Sequence, residues 1–318
     1  DVARLAGVSS NTVSRVVRND PEVSDATRKR IQGLLEELDY KPNLAARALA
    51  RSRTGVIHVL LAAPMFHGHA QTFLSITNAA AIAGFHVSVS DAQGPSSRVP
   101  KIHHGLTPID VDGVIVIGGQ GPTLDLAVEL GERMPTVLVL AGEHGFDKVS
   151  TVSVDNVLGA RRAVEYLISL GLTDLLHIAG PLDWVDSGER LRGFQEVCQE
   201  RGLTPHVVEA GSWDAADGYR LAKTWRCPPA GLFAANDQLA LGAIRAMLEA
   251  GVRLPQETRV VGFDDIVGAE CFFPPLSTVR QDFAAVGRSA VELLNELMND
   301  QPSRDTVIEP SLVIRASS

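Results

Sequence analysis

The chain has 318 residues, a length that allows two or three domains with proper hydrophobic cores. Its 45% hydrophobic and 21% charged residues are ordinary for a globular protein, and no apolar run approaches the roughly 20 residues of a transmembrane helix. The formal net charge of −9 is unevenly distributed, because residues 1–53 contain ten Lys and Arg against seven Asp and Glu, whereas residues 54–318 contain nineteen against thirty-one. A basic end on an acidic bulk indicates that nucleic acid contacts the N-terminal segment and not the rest, and no membrane contact is expected.

Three features bear on where the protein acts. Its cysteines, Cys198, Cys227 and Cys271, are widely spaced and odd in number, which predicts free thiols in a reducing cytoplasm. No secretion signal is visible. Because the first residue is Asp and the helical pattern has already begun there, we expect a few residues to precede it. The start of the sequence therefore says little about targeting, and it is the cysteines that predict a cytoplasmic protein.

The first 17 residues predict two short helices that meet at Gly7. Gly7 can adopt the left-handed conformation that ends a helix, and the Ser9 hydroxyl can cap the helix that follows. That second helix has an apolar stripe of Val13, Val16 and Val17 and an opposite face of Ser10, Asn11, Ser14 and Arg15. Asn binds adenine and Arg binds guanine bidentately in the major groove, so the pattern predicts a helix-turn-helix. Taken alone, the stretch is equally compatible with an ordinary polar helix face.

A third helix, from about residue 24 to residue 39, completes a predicted headpiece over residues 1–40. Its apolar stripe consists of Ile31, Leu34, Leu35 and Leu38. The basic cluster Arg28–Arg30 in its first turns is either a phosphate contact or a solvated face.

Residues 41–54 are predicted to form a hinge helix and linker. Asn43 is a good N-cap and Ala is the best helix former, yet Asn43–Ala50 is too short to hold a helix alone. We expect this segment to fold only against a partner, with Ala45, Ala46 and Leu49 on the face that meets a symmetry mate. Leu49 is also a candidate apolar wedge between base steps in the minor groove, and the alternative is a plain linker.

From Val56 onward, predicted strands alternate with predicted helices. Near-continuous apolar runs predict buried strands at Val56–Ala63, Phe85–Ser90, Gly113–Ile117, Thr136–Leu140, Leu175–Ala179, Gly231–Ala235 and Arg259–Phe263. Helices are predicted at about residues 70–83, 123–133, 156–170, 186–201, 214–225, 237–250 and 283–299. This alternation is typical of a doubly wound α/β architecture, and the number of strands predicts two similar lobes with a ligand cleft between them. The Gly-, Pro- and Ser-rich segment Gln93–Pro108 predicts a short or irregular crossover.

Polar residues follow several predicted strands at the ends where such sheets bind ligands. They are Asp155–Asn156, Asn236–Asp237, Asp264–Asp265 and Gln281–Asp282. Their recurrence favours a polar binding cleft over scattered surface loops.

Eight ordered matches over the whole chain resemble the lactose-repressor (LacI/GalR-type) family of transcription regulators, and its sugar-responsive branch most of all. The matching segments are Asp1–Ser9, Thr12–Val17, Tyr40–Asn43, Ala179–Pro181, Arg190–Phe194, Ala235–Gln238, Val261–Asp265 and Pro274–Thr278 with Gln281–Asp282. The resemblance implies an all-α helix-turn-helix headpiece and a periplasmic-binding-protein-like core of two doubly wound parallel-sheet lobes. It implies a core over residues 55–318, with one lobe at about 55–153 plus 284–310 and the other at about 154–283 plus 311–318.

The resemblance also implies a homodimer that binds a pseudo-palindromic operator and is therefore associated with the nucleoid. Bases would be contacted by Ser10, Asn11 and Arg15, phosphates by Thr12, Ser14 and Asn43, and the operator centre by the hinge residues Ala46 and Leu49. Ser10 is smaller than the tyrosine that the family's lactose repressor has there, so a different operator is expected. Because the chain stops at Ser318 without a leucine-heptad segment, a dimer is expected instead of a tetramer.

A small sugar or glycoside is the effector that the resemblance implies, bound between the lobes without a metal or cofactor. The implied contacts are Arg190, Asn236, Asp264 and Gln281 for hydroxyls, Trp213 for stacking, and Phe66 and Phe283 beside them. Alone, Trp213 is equally compatible with a buried packing role. Ala62, Ile117 and Gly142 occupy first-lobe positions where polar groups would help to hold a sugar. Some members of this family bind DNA better with ligand, so the direction of the effector's action stays open.

Two other functions were weighed. In a Rossmann-type sugar enzyme, Gly118–Gly121 would bind a dinucleotide, but the remaining glycine and a following acidic partner are missing. His67, His69 and His103–His104 are too sparse for a metal and are expected on the surface or the rim, with His67 possible at the cleft mouth. Asp264–Asp265 has no nucleophile beside it, which favours binding over catalysis. A periplasmic-type binding protein would share the lobes but not the headpiece.

Overall fold

The computed structural model describes residues 2–17, 20–38, 53–91, 111–142 and 145–318. They fall into two compact units, Asp1–Thr54 and Gly55–Ser318, each described by itself. The predicted hinge helix at Asn43–Ala50 and the predicted crossover at Gln93–Pro108 lie outside the described residues.

Within its described residues, the first unit consists of α1 (Val2–Leu5), α2 (Ser10–Val17) and α3 (Asp25–Glu37). Gly7 follows α1 with a φ of 61°, and the Ser9 hydroxyl accepts a hydrogen bond from the Thr12 amide at 3.1 Å, as the sequence predicts. The three helices close over a small apolar core of Val2, Ala6, Val13, Val16, Val23 and Ile31.

The apolar stripe of α3 is shorter than its sequence predicts. Ile31 is fully buried and Leu35 is half-buried, but Leu38 lies beyond the last helical residue and is 46% exposed. Arg28 turns back from the basic cluster, and its Nη2 donates to the carbonyl oxygen of Asp20 at 2.5 Å. This arginine therefore stabilises the turn between α2 and α3.

The second unit is built on two six-stranded sheets, as its described residues show. The first sheet contains β1 (Val56–Leu61), β2 (His86–Asp91), β3 (Gly113–Ile117), β4 (Thr136–Val139), β5 (Val149–Val154) and β11 (Asp305–Ile308). Its order is β2-β1-β3-β4-β5-β11, with every neighbouring pair parallel. Residues of β3 are buried along the whole strand, which explains the uninterrupted apolar run.

The second sheet repeats this plan. It contains β6 (Leu175–Ala179), β7 (His206–Glu209), β8 (Gly231–Ala234), β9 (Arg259–Asp264), β10 (Ser277–Arg280) and β12 (Ser311–Val313). Its order is β7-β6-β8-β9-β10-β12, parallel throughout except for the antiparallel edge strand β12. The predicted doubly wound architecture with two similar sheets is confirmed.

Helices cover both sheets. They are α4 (His67–Ile82), α5 (Pro122–Gly131), α6 (Asn156–Ser169), α7 (Val185–Glu200), α8 (Ala215–Ala222), α9 (Asp237–Glu249) and α10 (Phe283–Met298). Helix α10 follows β10 of the second sheet yet packs Val286, Ala290 and Leu294 into the core of the first. No helix in the described ranges is long and apolar enough to cross a membrane.

The chain passes between the two sheets three times: from β5 to α6, from β10 to α10, and from β11 to β12. We call the first sheet with α4, α5 and α10 the first lobe, and the second sheet with α6 to α9 the second lobe. In both lobes the carboxyl ends of the parallel strands face a common cleft, as the residues lining it show.

Candidate functional site

The cleft between the lobes contains a cavity of about 880 Å³, its open mouth included. All seven residues predicted to contact an effector line it, namely Phe66, Arg190, Trp213, Asn236, Asp264, Gln281 and Phe283. The structure therefore brings together side chains that are up to 217 positions apart in the sequence.

Arg190 lies at the floor of the cavity and is only 5% exposed. Its Nε donates to Asn156 Oδ1 at 2.7 Å and its Nη1 donates to the carbonyl oxygen of Ala235 at 2.5 Å. Asp264 Oδ1 lies 3.7 Å from Nη1, and the guanidinium carbon lies 3.9 Å from the ring centre of Phe263. A guanidinium with this many partners is held in one orientation before any ligand arrives.

The neighbouring polar side chains are fixed in the same way. Asn236 Oδ1 accepts from the Leu239 amide at 2.8 Å, which caps α9, and its Nδ2 donates to the Trp213 carbonyl oxygen at 3.0 Å. Gln281, which directly follows β10, donates from Nε2 to Asp264 Oδ1 at 2.7 Å. Each of these side chains is thus held by hydrogen bonds, and an ion pair joins Arg190 to Asp264.

Two buried carboxyl groups lie at this floor. Burial raises the pKa of Asp264, and the nearby Arg190 charge opposes that rise. Burial, with a second contribution from the Asp264 charge, raises the pKa of Asp237 to about 8. The Thr278 hydroxyl donates to Asp237 Oδ1 at 2.6 Å and the Ile266 amide donates to Oδ2 at 2.9 Å. At neutral pH a proton on Asp237 therefore removes one negative charge from beneath the cleft.

Aromatic rings form the wall above this floor. Trp184 lies at its centre, with ring centres 5.5 Å from Phe66, 5.5 Å from His69 and 6.0 Å from Trp213, all in edge-to-face geometry. Such a wall offers a ligand apolar ring faces together with two polar ring nitrogens, one of tryptophan and one of histidine. The Trp213 Nε1 and His69 Nδ1 atoms are buried and have no hydrogen-bond partner among the described residues.

The lobes touch at one rim of the cleft. The Val185 amide donates to the Gly119 carbonyl oxygen at 3.0 Å, and Gln120 Nε2 donates to Asp183 Oδ2 at 2.5 Å. Gly119 faces the Trp184 ring so closely that any side chain there would overlap it. The Gly118–Gly121 segment, weighed above as a dinucleotide motif, is therefore a contact between lobes.

Among the lining residues that sequence reasoning missed are Trp184, Asp186 and His69. The sequence predicts His69 on the surface or the rim, and in the structure it lines the cleft with its ring packed against Trp184. Trp184 and Asp186 follow the carboxyl end of β6, so the strand-end rule that marked Asn236 would have found them. Three first-lobe positions lack the polar group that would help to hold a sugar. Of these, Ile117 lines the cavity, whereas Ala62 and Gly142 are not among its lining residues.

In the first unit, the exposed face of α2 presents Ser10, Asn11 and Ser14, with Thr12 half-buried beside them. Arg15 lies on the same helix, where its Nε donates to Asp20 Oδ2 at 3.0 Å and its Nη2 pairs with Glu22. The remaining predicted DNA contacts, Asn43, Ala46 and Leu49, lie outside the described residues.

Comparison with known proteins matches both units. The model of the bacterial regulatory proteins of the lacI family matches residues 1–43, and that of the periplasmic binding protein-like domain matches residues 164–318. The lactose operon repressor of Escherichia coli K12 is 32% identical over 324 residues, covering 100% of this chain and 89% of the relative. The ribose operon repressor of the same strain is 31% identical, covering 92% and 91%.

The chain belongs to the lacI family of bacterial regulatory proteins. A crystal structure of the lac repressor dimer bound to operator and the anti-inducer ONPF superimposes with a TM-score of 0.85 at 31% identity, covering 100% of this chain and 97% of that one. The complex of the transcriptional regulator CelR with cellobiose gives 0.74 at 28% identity, covering 100% and 98%. The predicted family is confirmed, and these relatives are DNA-binding regulators, not enzymes.

Proposed function

We propose that this lacI-family regulator represses transcription as a homodimer on a pseudo-palindromic operator, and that a sugar or glycoside in the cleft releases it. The observation that supports this proposal most strongly is the convergence of seven predicted effector contacts on one cavity. Relatives named for lactose and ribose operons, and one solved in complex with cellobiose, point in the same direction.

The chemistry of the cleft suits a sugar. Arg190, Asn236 and Asp264 offer donors and acceptors in fixed positions, and vicinal hydroxyls can both donate and accept. The indoles of Trp184 and Trp213 provide apolar surface for the C–H face of a pyranose ring. We therefore assign hydroxyl binding to the floor and stacking to the wall.

For the DNA-binding unit we assign base contacts to Ser10, Asn11 and Arg15 and phosphate contacts to Thr12 and Ser14. Two such units in successive major grooves would match the two halves of an operator. The predicted roles of Asn43 at a phosphate, and of Ala46 and Leu49 at the operator centre, complete this assignment.

Regulation then depends on the angle between the lobes. A sugar changes operator affinity only by binding the two arrangements of the lobes with different affinities. We infer that the unliganded arrangement keeps the two hinges of the dimer close enough to fold on DNA, and that a bound sugar separates them. A regulator acting in this way works beside the chromosome, which fits a cytoplasmic location.

A gel shift with the promoter next to its own gene tests DNA binding. At low salt we expect a shift that survives competition by random DNA, and no shift would contradict the repressor function. The same assay tests the first alternative, a binding protein without DNA function. A specific shift excludes that alternative and the absence of any shift supports it. Turnover assays on the sugars that stabilise the protein test the second alternative, an enzyme.

A further inference from the structure

His69 lies in the first turn of α4, and its hydrogen bond defines its tautomer. Its Nε2 lies 3.1 Å from the carbonyl oxygen of Gly118. A carbonyl oxygen can only accept, so Nε2 has the proton. Burial lowers the pKa of His69, against opposing contributions from Asp186 and other neighbours, so the ring is neutral at neutral pH. In a neutral ring with the proton on Nε2, Nδ1 is an acceptor.

This acceptor is buried in the wall of the cleft without a donor. Buried side-chain nitrogens are nearly always hydrogen-bonded, so an unpaired one that lines a ligand cavity indicates a ligand group. Trp213, whose ring also packs against Trp184, has at Nε1 a buried donor without an acceptor among the described residues. A ligand that donates at one point and accepts at another, as a polyol does, would pair both atoms.

We propose that His69 is a specificity-determining residue that accepts a hydrogen bond from an effector hydroxyl at Nδ1. The inference rests on the proposed function, since it assumes a sugar in the cleft. It assigns the first lobe a polar contact, although the sequence shows apolar residues at the expected first-lobe positions Ala62 and Ile117. Ligands without a hydroxyl at this point of the ring are rejected because Nδ1 would stay unpaired.

The alternative is that His69 only supports the Gly118 backbone and packs against Trp184. Two substitutions separate these roles. In His69→Asn, the amide oxygen occupies the position of Nδ1 and the contact to Gly118 is lost. In His69→Gln, the amide nitrogen reaches the position of Nε2 and the acceptor at Nδ1 is lost.

Calorimetric titration of the full chain tests the proposal, with d-galactose, d-glucose, d-ribose, lactose and cellobiose as probes. For the tightest probe we expect His69→Gln to lose about tenfold or more in affinity and His69→Asn to stay within about threefold of the wild type. The reverse order, or equal affinities, would overturn the role of His69 and leave the proposed function intact. Failure of the wild type to bind any probe would contradict the proposed function and this inference with it.

A measurement on the wild type does not depend on the variants folding. Two-bond ¹H–¹⁵N spectra report which ring nitrogen of a histidine has the proton. We expect an unprotonated His69 Nδ1 in the free protein and a shift of that resonance when the tightest probe binds. A protonated Nδ1, or a resonance that does not respond to a bound probe, would overturn the assignment.

Discussion

Two arginines, one in each unit, have similar partners in very different surroundings. Arg190 in the cleft and Arg15 on α2 each lie near two carboxylates of their own unit. The Arg190 side chain is 5% exposed, whereas the Arg15 side chain is 38% exposed. Removing one member of a buried network leaves unpaired charge behind, but an exposed ion pair is screened and exchanges its partners at little cost.

This difference fits the two proposed tasks. The cleft needs groups that stay in place while a small ligand comes and goes, so its arginine is fixed by Asn156 and the Ala235 carbonyl. The DNA-binding unit needs an arginine that can leave its intramolecular partners for a guanine. Asp20 and Glu22 hold Arg15 in the structure, so under the proposed function a guanine would have to replace them. This difference can be tested by replacing buried residues of the core first and exposed residues of the DNA-binding unit afterwards.

Replacing Arg190 should have the largest effect. We expect Arg190→Ala to abolish the response to effector and to lower the free energy of unfolding of the core by about 3 kcal/mol, because Asp264 loses its buried partner. Operator binding in the absence of effector should persist. The matched control is Arg192→Ala on the same helix, where a 57% exposed side chain pairs with glutamates and less than about 1 kcal/mol is expected. Chemical denaturation and effector titration measure both, and equal effects of the two changes would contradict the contrast.

Asp237 predicts a pH dependence of the core. Its pKa is raised to about 8, so the folded chain keeps a proton that the unfolded chain loses above about pH 4. This contribution to stability is complete below about pH 4 and is lost as the pH rises through about 8. We expect up to about 1.4 kcal/mol of lost stability per pH unit in this range, and a flatter profile for Asp237→Asn.

Denaturation at several pH values measures the Asp237 profile. Asp125→Asn, which changes an exposed carboxylate on α5, is the control and should keep the wild-type slope. A wild-type slope in Asp237→Asn would show that another group titrates in this range.

Replacing Arg15 should have a smaller and purely functional effect. We expect Arg15→Ala to weaken operator binding about ten- to a hundredfold and to relax the preference at one base pair of each half-site. Thermal stability of the core should not change. Binding to operator variants and to random DNA distinguishes the outcomes, since an equal loss on random DNA would make Arg15 a phosphate contact.

The smallest change is expected for Glu22, whose side chain is 72% exposed. Glu22→Gln removes a charge that competes with DNA for Arg15, so operator affinity should rise about twofold. Glu36→Gln on α3 removes a carboxylate of the same unit without a contact to Arg15 and is the control. If both variants raise affinity equally, Glu22 acts through net charge alone.

The sequence predicted the core strands better than the edges of the sheets. Apolar runs such as Gly113–Ile117 are buried along their whole length, and their signal is local. Strand β5 was missed because Ser and Thr interrupt the apolar run in Val149–Val154, although all six residues are buried. The short strand β10 and the edge strands β7, β11 and β12 were missed because pairing with a neighbour, and not local propensity, determines them.

In the cleft, too, local patterns predicted some features and not others. Its predicted residues came from strand ends and from motifs of the family, and all seven line the cavity. The position of His69 could not be predicted, because its neighbours Gly118 and Trp184 are 49 and 115 positions away in sequence. Contacts between lobes depend on how two sheets are apposed, which no local pattern encodes.

The central claim is that a ligand in the cleft controls DNA binding. The most direct measurement is fluorescence anisotropy of a labelled fragment from the promoter next to its own gene, titrated with the full chain with and without the most stabilising sugar. We predict sequence-specific binding that the sugar weakens in the wild type and leaves unchanged in Arg190→Ala. Specific binding that is unaffected by a sugar shown to occupy the wild-type cleft would contradict the account.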